Sequence, residues 1–362
     1  MTEHAYIHIP FCIRKCNYCS FVSGKNIRNK KSYITALLSE ISKKYSGETL
    51  KTIYIGGGTP SLLSGSDLKK IISHFKYTNN TEITLEVNPE TVTLNKFKEY
   101  KQIGINRISL GVQTFNNIIL KMIGRKHKEI DIYNAINIIK KAGFNNINID
   151  LIYGLPSQNI EMLKNDIEKA LKLNPKHIST YGLKIEENSF FYNNLPENIP
   201  DDEIQAEMYI ELCKILKEND YNHYEISNFS KYGFESKHNN AYWRNKEYYG
   251  FGLNASGYEN NIRYRNTSIM NEYINNPLKK EEKNHLTEQE TMENEIFLAL
   301  RLSTGLNIKE FNNKYNTDFF MLYKKIINKY KNTELLTINE DNIKLTENGF
   351  LLSNEIMSEF IS

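Results

Sequence analysis

The 362-residue sequence has no apolar run near the length of a membrane span, and no charged segment followed by an apolar leader. Its formal net charge is only +3, with both signs mixed along the chain, so composition does not indicate a nucleic-acid partner. These features predict a cytoplasmic protein. Hydrophobic residues make up 40% of the chain, enough for the core of one large domain or two smaller ones.

Cysteine is scarce, but three of the four cysteines, Cys12, Cys16 and Cys19, lie on one short segment with the spacing C-x3-C-x2-C. Three thiolates on one loop can bind three irons of a cubic iron–sulfur cluster and leave the fourth iron open to a small chelating molecule. A zinc site would need a fourth ligand such as His4 or His8, and disulfides would need an oxidising compartment. We therefore favour the cluster.

Six short strand-like segments alternate with helix-like segments over the first half of the sequence. The predicted strands lie at residues 5–9, 51–55, 83–88, 104–115 with a terminal polar turn, 145–152 and 177–183. Repeated βα units imply a parallel sheet with right-handed crossovers. Six units are too few to close an eight-stranded barrel. The sequence therefore predicts an α/β fold with an open, partial (β/α)6 barrel over residues 1–185.

Glycines and polar residues stand at the ends of these strands, where parallel α/β folds place their chemistry. The second strand runs into Gly56-Gly57-Gly58-Thr59-Pro60, where three glycines either admit a ligand close to the backbone or make a tight turn. Glu86 and Asp150 lie between apolar neighbours, where a buried carboxylate needs a partner. Gln113 and Arg125 are further candidates. For Glu86, Gln113 and Arg125 the alternative is a solvent-facing position.

The pattern changes after residue 185. We predict that residues 186–285 extend the barrel and that Cys213, within them, is a core residue. One histidine, His238, lies in an aromatic segment that suits a flat, largely apolar ligand with a metal at its centre. A locally hydrogen-bonded core histidine is the favoured alternative from the residues alone. Residues 286–362 are predicted as helices followed by a hairpin, an α+β, winged-helix-like domain with a lid or partner-docking role.

Several motifs together resemble the coproporphyrinogen-oxidase-like branch of the radical S-adenosylmethionine (SAM) proteins. They are the segment from Tyr6 to Cys19, the GGGTP run, the Glu86 strand, and the ISLGVQTF and IDLIYGLP segments. Oxygen-independent coproporphyrinogen III oxidases continue to C-x3-C-x2-C-x-C after a long N-terminal extension, whereas this sequence has Phe21 there. The run from His238 to Trp243 is similar to the HNxxYW haem-binding motif of HemW-type haem chaperones, and the sequence is identified as a member of that family.

The resemblance implies a role for each candidate residue. Cys12, Cys16 and Cys19 would bind a [4Fe–4S] cluster, and haem would lie near His238. SAM would contact Tyr6, Tyr18, Gly57, Gly58, Thr59, Glu86, Gln113, Arg125, Asp150 and Gly182. The implied function is to bind haem and pass it to an acceptor such as a membrane respiratory enzyme, with a homodimer as a further expectation. The alternative function is oxidative decarboxylation of coproporphyrinogen III, so enzyme activity stays open.

Overall fold

A largely parallel sheet of nine strands organises the protein. A computed structural model describes residues 1–24 and 27–361, except for the side chain of Ile27. Residues 25, 26 and 362, which fall within the predicted first and last domains, lie outside this description. The strands are β1 His4–Ile9, β2 Thr49–Gly57, β3 Lys76–Val87, β4 Arg107–Gln113, β5 Asn146–Tyr153, β6 His177–Gly182, β7 Asn222–Glu225, β8 Asn228–Ser230 and β9 Tyr249–Phe251.

Strands β1 to β6 lie side by side in chain order, and every neighbouring pair is parallel. Helices connect them, as the alternating pattern predicted. The connecting helices are α1 Lys30–Lys44, α2 Gly65–Ile72, α3 Leu94–Gln102, α4 Asn117–Met122, α5 Glu129–Lys141 and α6 Ile160–Lys172, with short 3-10 helices at Ile27–Asn29, Pro60–Leu62 and Pro89–Thr91. The predicted partial (β/α)6 barrel is confirmed.

Local sequence explains why these elements form and stop where they do. Helix α2 begins at a capping box in which the Ser64 side chain accepts from the Asp67 backbone amide and Asp67 accepts from the Ser64 amide. In α6, one face carries the buried residues Leu163, Ile167 and Ala170. Every residue of β4 is buried, as expected for a strand covered on both faces of a parallel sheet.

The sheet continues beyond the six predicted strands on both sides. The antiparallel pair β7 and β8 joins the β6 edge, and β9 adds a parallel strand beside β1. Gly250, in the middle of β9, has no room for a side chain, because a Cβ there would lie 1.9 Å from the Ser256 carbonyl oxygen. Strand β9 is three residues long and contains this glycine, so its sequence carried little strand signal.

Residues 186–285 supply the strands at both edges of the sheet, β7 and β8 on one side and β9 on the other. They contain helices α7 Phe190–Asn193, α8 Asp202–Glu218, α9 Lys237–Trp243 and α10 Met270–Asn275, and an antiparallel sheet of β10 Ser256–Glu259, β11 Ile262–Asn266 and β12 Lys280–His285. Buried Glu40 of α1 ties this region to the barrel, since it accepts hydrogen bonds from Tyr273 of α10 and from Asn266 of β11. Cys213 lies on α8 and packs against the main core.

The C-terminal region has the predicted helices-then-hairpin order. Its elements are α11 Glu288–Ala299, β13 Leu306–Asn307, α12 Ile308–Tyr315, α13 Phe319–Leu322, α14 Lys324–Tyr330, β14 Leu336–Ile338, β15 Asn342–Leu345, α15 Glu347–Leu351 and α16 Ser353–Ser358. The Asn339 side chain accepts from the backbone amides of Asp341 and Asn342 and so closes the hairpin. The winged-helix-like arrangement is confirmed. Across residues 1–24 and 27–361, we find no helix with the length and apolar character that a membrane crossing requires.

Candidate functional site

A cavity of about 440 Å³ opens at the C-terminal edge of the parallel strands. The loop after β1 forms one wall, and the ends of β2 to β6 form the rest. Twelve of the fourteen predicted site residues line this cavity: Cys12, Cys16, Tyr18, Cys19, Gly57, Gly58, Thr59, Glu86, Gln113, Arg125, Asp150 and Gly182. Residues far apart in the sequence are therefore brought together at the predicted edge, although their contacts with any ligand stay predictions.

Backbone hydrogen bonds hold the cysteine loop at Cys12 and at Asn17, which lies between Cys16 and Cys19. The Cys12 amide donates to the Gly24 carbonyl at 3.1 Å, and the Asn17 amide donates to the Ile123 carbonyl at 3.0 Å. Burial raises the pKa of the Cys12 thiol and raises that of Cys19 to about 11. A metal that binds these thiols would have to displace their protons, because the ligand is the thiolate.

The two histidines that the sequence offers as a fourth zinc ligand have other partners. His8 points one ring nitrogen at the Tyr6 hydroxyl and the other at the Val22 carbonyl, each at 3.0 Å, and His4 bonds Thr52. Among the residues that the structure describes, no group of three or more His, Cys, Asp or Glu side chains is placed to hold one metal ion. A cluster spaces its thiolates more widely than one tetrahedral ion does, because each sulfur binds a different iron.

The glycine run after β2 makes room for the site. Gly57 has a φ of 109°, and a Cβ there would lie 2.6 Å from the His8 ring. A Cβ on Gly58 would lie 3.0 Å from the Cys12 sulfur and 2.7 Å from the Phe11 carbonyl oxygen. A side chain at position 58 would therefore occupy the space beside the cysteine loop, and one at position 57 would collide with the His8 ring.

Two acidic side chains face the cavity from neighbouring parts of the sheet. Glu86 accepts hydrogen bonds from the Tyr54 hydroxyl at 2.8 Å and from the Gly57 amide at 2.9 Å. Burial, together with the charge of Asp150, raises the pKa of Glu86 to about 7. Asp150 accepts from Ser109 at 3.1 Å, and burial raises its pKa. Such carboxylates favour a ligand that brings a positive charge or hydroxyl donors.

Gln113 and Arg125 complete the polar lining. Gln113 has a φ of 71°, an unusual backbone conformation for a residue that is not glycine, at the point where β4 ends. Arg125 donates to the Gly111 carbonyl at 2.5 Å and to the Asn88 side-chain oxygen at 2.9 Å. Its other terminal nitrogen lies 3.7 Å from the Cys16 sulfur. Arg125 is therefore part of the site and not of the solvated surface.

Two predicted residues, Tyr6 and His238, do not line the cavity. Tyr6 stacks on Tyr54 behind the wall. His238 is only 1% exposed, and its ring also stacks on Tyr54, with 5.1 Å between the ring centroids. Its ring nitrogens bond the Thr52 hydroxyl at 2.7 Å and the Tyr242 hydroxyl at 2.8 Å. Burial lowers the pKa of His238 well below its usual range, so the ring is neutral.

Sequence reasoning missed several residues of the cavity. Asn88, Ser109 and Tyr54 line it and bond to predicted site residues. A signal existed for Asn88, because it directly follows β3 at the functional edge. Tyr54 and Ser109 lie inside strands, and their partners become visible only with the register between neighbouring strands. Cys213 is not among the residues that line the cavity.

Comparison with known proteins gives the family. Residues 6–170 match the radical SAM superfamily, and residues 286–352 match the HemN C-terminal domain. The chain is 41% identical to the haem chaperone HemW of Lactococcus lactis, over 99% of this chain and 97% of that protein. It is 37% identical to the haem chaperone HemW of Bacillus subtilis, over 99% of each.

A solved structure shares the fold. Coproporphyrinogen III oxidase (HemN) from Escherichia coli, a radical SAM enzyme, aligns with a TM-score of 0.87 at 21% identity, over 99% of this chain and 90% of that chain. At this identity the likeness concerns the fold alone. Sequence identity along nearly the whole length of the two HemW proteins is the stronger finding, and it shows that this chain belongs to the HemW family of radical SAM proteins.

Proposed function

We propose that the protein is a haem chaperone that holds a [4Fe–4S] cluster and SAM in the cavity, binds haem, and passes it to an acceptor protein. The observation that carries the proposal is the meeting of three thiols and two acidic side chains in one cavity. The near full-length similarity to proteins called haem chaperones supports the haem part. The protein would then bind and transfer haem, and would not convert a porphyrin substrate.

The cysteine loop would hold the cluster through Cys12, Cys16 and Cys19. The donor set fits, because thiolates are the usual ligands of such clusters and three of them leave one iron free. When bound, the cluster supplies an electron and SAM supplies a sulfonium group that can accept it. The chain itself contributes space at Gly58 and hydrogen-bond donors directed at the sulfurs of Cys12 and Cys16.

The rest of the cavity would hold SAM. Glu86 and Asp150 can accept hydrogen bonds from an ammonium group or from ribose hydroxyls, and the cavity is polar at these points. Arg125 and Gln113 would meet the carboxylate and polar edges of the same ligand, and the backbone at Gly57 and Gly58 allows a close approach. Tyr18, Thr59 and Gly182 would form the remaining walls.

His238 is proposed to lie near haem on the strength of its motif. In the structure both ring nitrogens have partners, so binding a haem iron would require His238 to release Thr52 or Tyr242 and to become exposed. Tyr242 packs against the ring of Tyr248, which places an aromatic layer around the histidine. The motif therefore offers flat apolar surfaces that a porphyrin could meet after a local rearrangement.

The wider context is part of the same proposal. We infer three regions, the radical SAM barrel at 1–185, its haem-binding extension at 186–285 and the winged-helix-like region at 286–362, which would serve as a lid or docking platform. A membrane respiratory enzyme would be the acceptor, and the protein would work in the cytoplasm. A second copy would be a further partner, in a homodimer. Pull-down with haem-loaded and haem-free protein tests whether acceptor binding depends on haem.

Haem titration of matched variants tests the haem proposal. His238→Ala is compared with His4→Ala, because His4 is also buried and bonds the same Thr52 hydroxyl. We expect His238→Ala to weaken haem binding and to shift the haem absorption band, while His4→Ala keeps both as in the wild type. Thermal unfolding checks that both variants fold. Equal haem binding and equal spectra in all three proteins would contradict the role of His238.

An assay of the reconstituted protein with SAM, dithionite and coproporphyrinogen III separates the chaperone from the oxidase. Phe21, which stands where the oxidase motif has a further cysteine, is 63% exposed and lines the cavity. A haem chaperone should give no protoporphyrinogen under these conditions. Product formed over many turnovers would overturn the proposed function.

A further inference from the structure

Asn88, a residue with no role in the proposal so far, connects two opposite walls of the cavity. It follows β3 directly, and its backbone carbonyl accepts from both the amide and the hydroxyl of Thr91, which fixes its position. Its side-chain nitrogen donates to the Thr59 hydroxyl at 3.1 Å, and its side-chain oxygen accepts from Arg125 at 2.9 Å. One amide thus contacts both residues at once.

Thr59 and Arg125 each reach a different cysteine. The Thr59 hydroxyl donates to the Cys12 sulfur at 3.6 Å, and Arg125 donates from its second terminal nitrogen to the Cys16 sulfur at 3.7 Å. These distances are normal for sulfur acceptors, whose radius exceeds that of oxygen. A continuous chain of hydrogen bonds therefore runs from Cys12 through Thr59, Asn88 and Arg125 to Cys16.

The direction of every hydrogen bond in this chain follows from the groups themselves. A guanidinium only donates, so the oxygen of the Asn88 amide must face Arg125 and its nitrogen must face Thr59. The Thr59 hydroxyl accepts from that nitrogen, which leaves its single proton for the Cys12 sulfur. Gly111 provides the space, because a Cβ there would lie 3.3 Å from both the Asn88 oxygen and the Arg125 nitrogen.

We propose that Asn88 is a positioning residue that holds two hydrogen-bond donors against the cluster ligands and thereby raises the reduction potential of the cluster. Hydrogen bonds to ligand sulfurs stabilise the more negative, reduced state of an iron–sulfur cluster. The Asn88 amide suits this part, since it accepts from Arg125 and donates to Thr59 at the same time. This inference rests on the proposed cluster.

The test is a redox titration followed by electron paramagnetic resonance on anaerobically reconstituted protein. In Asn88→Leu both donors lose their common partner, and we expect the ratio of reduced to oxidised cluster at a fixed potential to fall about tenfold. For a one-electron couple this is a shift of about 59 mV to more negative values. Asn88→Ala removes the same hydrogen bonds without added apolar bulk and serves if Asn88→Leu does not retain iron.

Asn106 offers a matched control. It is also a half-buried amide that bridges two neighbours, since it accepts from the Ile83 amide and donates to the Thr81 carbonyl, but it lies at the opposite end of the sheet. Asn106→Leu should lower stability without moving the potential. An unchanged potential in both Asn88 variants, or an equal shift in Asn106→Leu, would overturn the inference.

A double variant shows whether Asn88 acts through Thr59. In a Thr59→Val background the hydroxyl directed at Cys12 is gone, so Asn88→Leu should shift the potential less than it does in the wild type. Equal shifts in the two backgrounds and in an Arg125→Leu background would contradict the positioning role. Failure of the wild type to assemble any cluster would instead refute the proposed function itself, so the two failures are distinguishable.

Discussion

Replacing Glu86 with glutamine is expected to stabilise the ligand-free protein above neutral pH and at the same time to weaken its binding of SAM. The carboxyl group is held in a buried position beside Asp150, and burial is the main cause that raises its pKa to about 7. Glutamine has nearly the same shape. Its oxygen can accept from the Gly57 amide and its nitrogen can donate to the Tyr54 hydroxyl, the two groups that Glu86 contacts.

The sign and size of the effect follow from the pKa. The folded protein keeps a proton on Glu86 up to about pH 7, whereas the unfolded chain releases it near the ordinary value of 4.5. Between these values the folded state binds more protons, so the free energy of unfolding falls as pH rises, by about 1.4 kcal/mol per pH unit. By pH 8 the ionised carboxylate costs about 3 kcal/mol that Glu86→Gln does not incur.

Urea unfolding of the ligand-free proteins at pH 5, 6, 7 and 8 measures this. The stability difference between Glu86→Gln and the wild type should grow across this range. Glu90→Gln is the control: desolvation opposes ionisation there, but His127 and Arg125 hold the pKa of Glu90 below its ordinary value. From pH 5 to 8 this variant should therefore be less stable than the wild type by an amount that does not change with pH. A stability difference for Glu86→Gln that does not change with pH would refute the reasoning.

The same variant should bind SAM more weakly. A hydrogen bond to a charged group is worth about 1.5–3 kcal/mol, so loss of the carboxylate predicts an affinity lower by roughly 10- to 100-fold. Anaerobic calorimetry on cluster-loaded protein measures the affinity. Unchanged affinity together with the predicted gain in stability would show that Glu86 is a strained structural residue and does not contact SAM.

Two further predictions concern the loop and the glycine run. Serine at any one of the three clustered cysteines should abolish the bound iron and acid-labile sulfide, whereas Cys213→Ser, outside the cavity, should retain both in elemental analysis. Gly57→Ala should lower the free energy of unfolding in urea by more than Gly143→Ala does. Both glycines have a positive φ, which costs alanine about 1–2 kcal/mol of strain. At position 57 a Cβ would also collide with the His8 ring, whereas nothing lies within 4 Å of a Cβ at position 143. Equal losses for the two glycines would contradict the steric argument.

The sequence predicted the barrel well because its signals are local. The six parallel strands are apolar runs between amphipathic helices, and strand ends carry the site, so Glu86 and Asp150 could be placed beside the cysteine loop without coordinates. The short strand β9 was not predicted, because three residues with a central glycine carry no periodicity. The hairpin of β14 and β15 was predicted because Asn339 and its neighbours give a strong turn signal.

The contacts that define the site were harder to predict. The hydrogen bonds from Asn88 to Thr59 and Arg125 depend on the register between separate strands, which no single segment of the sequence encodes. The surroundings of His238 show the same limit. The motif identifies the residue, but only the packing shows that the ring lies beneath Tyr54 with both nitrogens occupied.

The most direct test of the central claim is analysis of anaerobically purified protein for metal and sulfide, with spectra recorded before and after SAM is added. If the three cysteines hold a cluster with one open iron, iron and acid-labile sulfide will be present in equal amounts, and SAM will change the paramagnetic resonance of the reduced cluster. Zinc without sulfide, or a cluster whose spectrum does not change when SAM is added, would contradict the account.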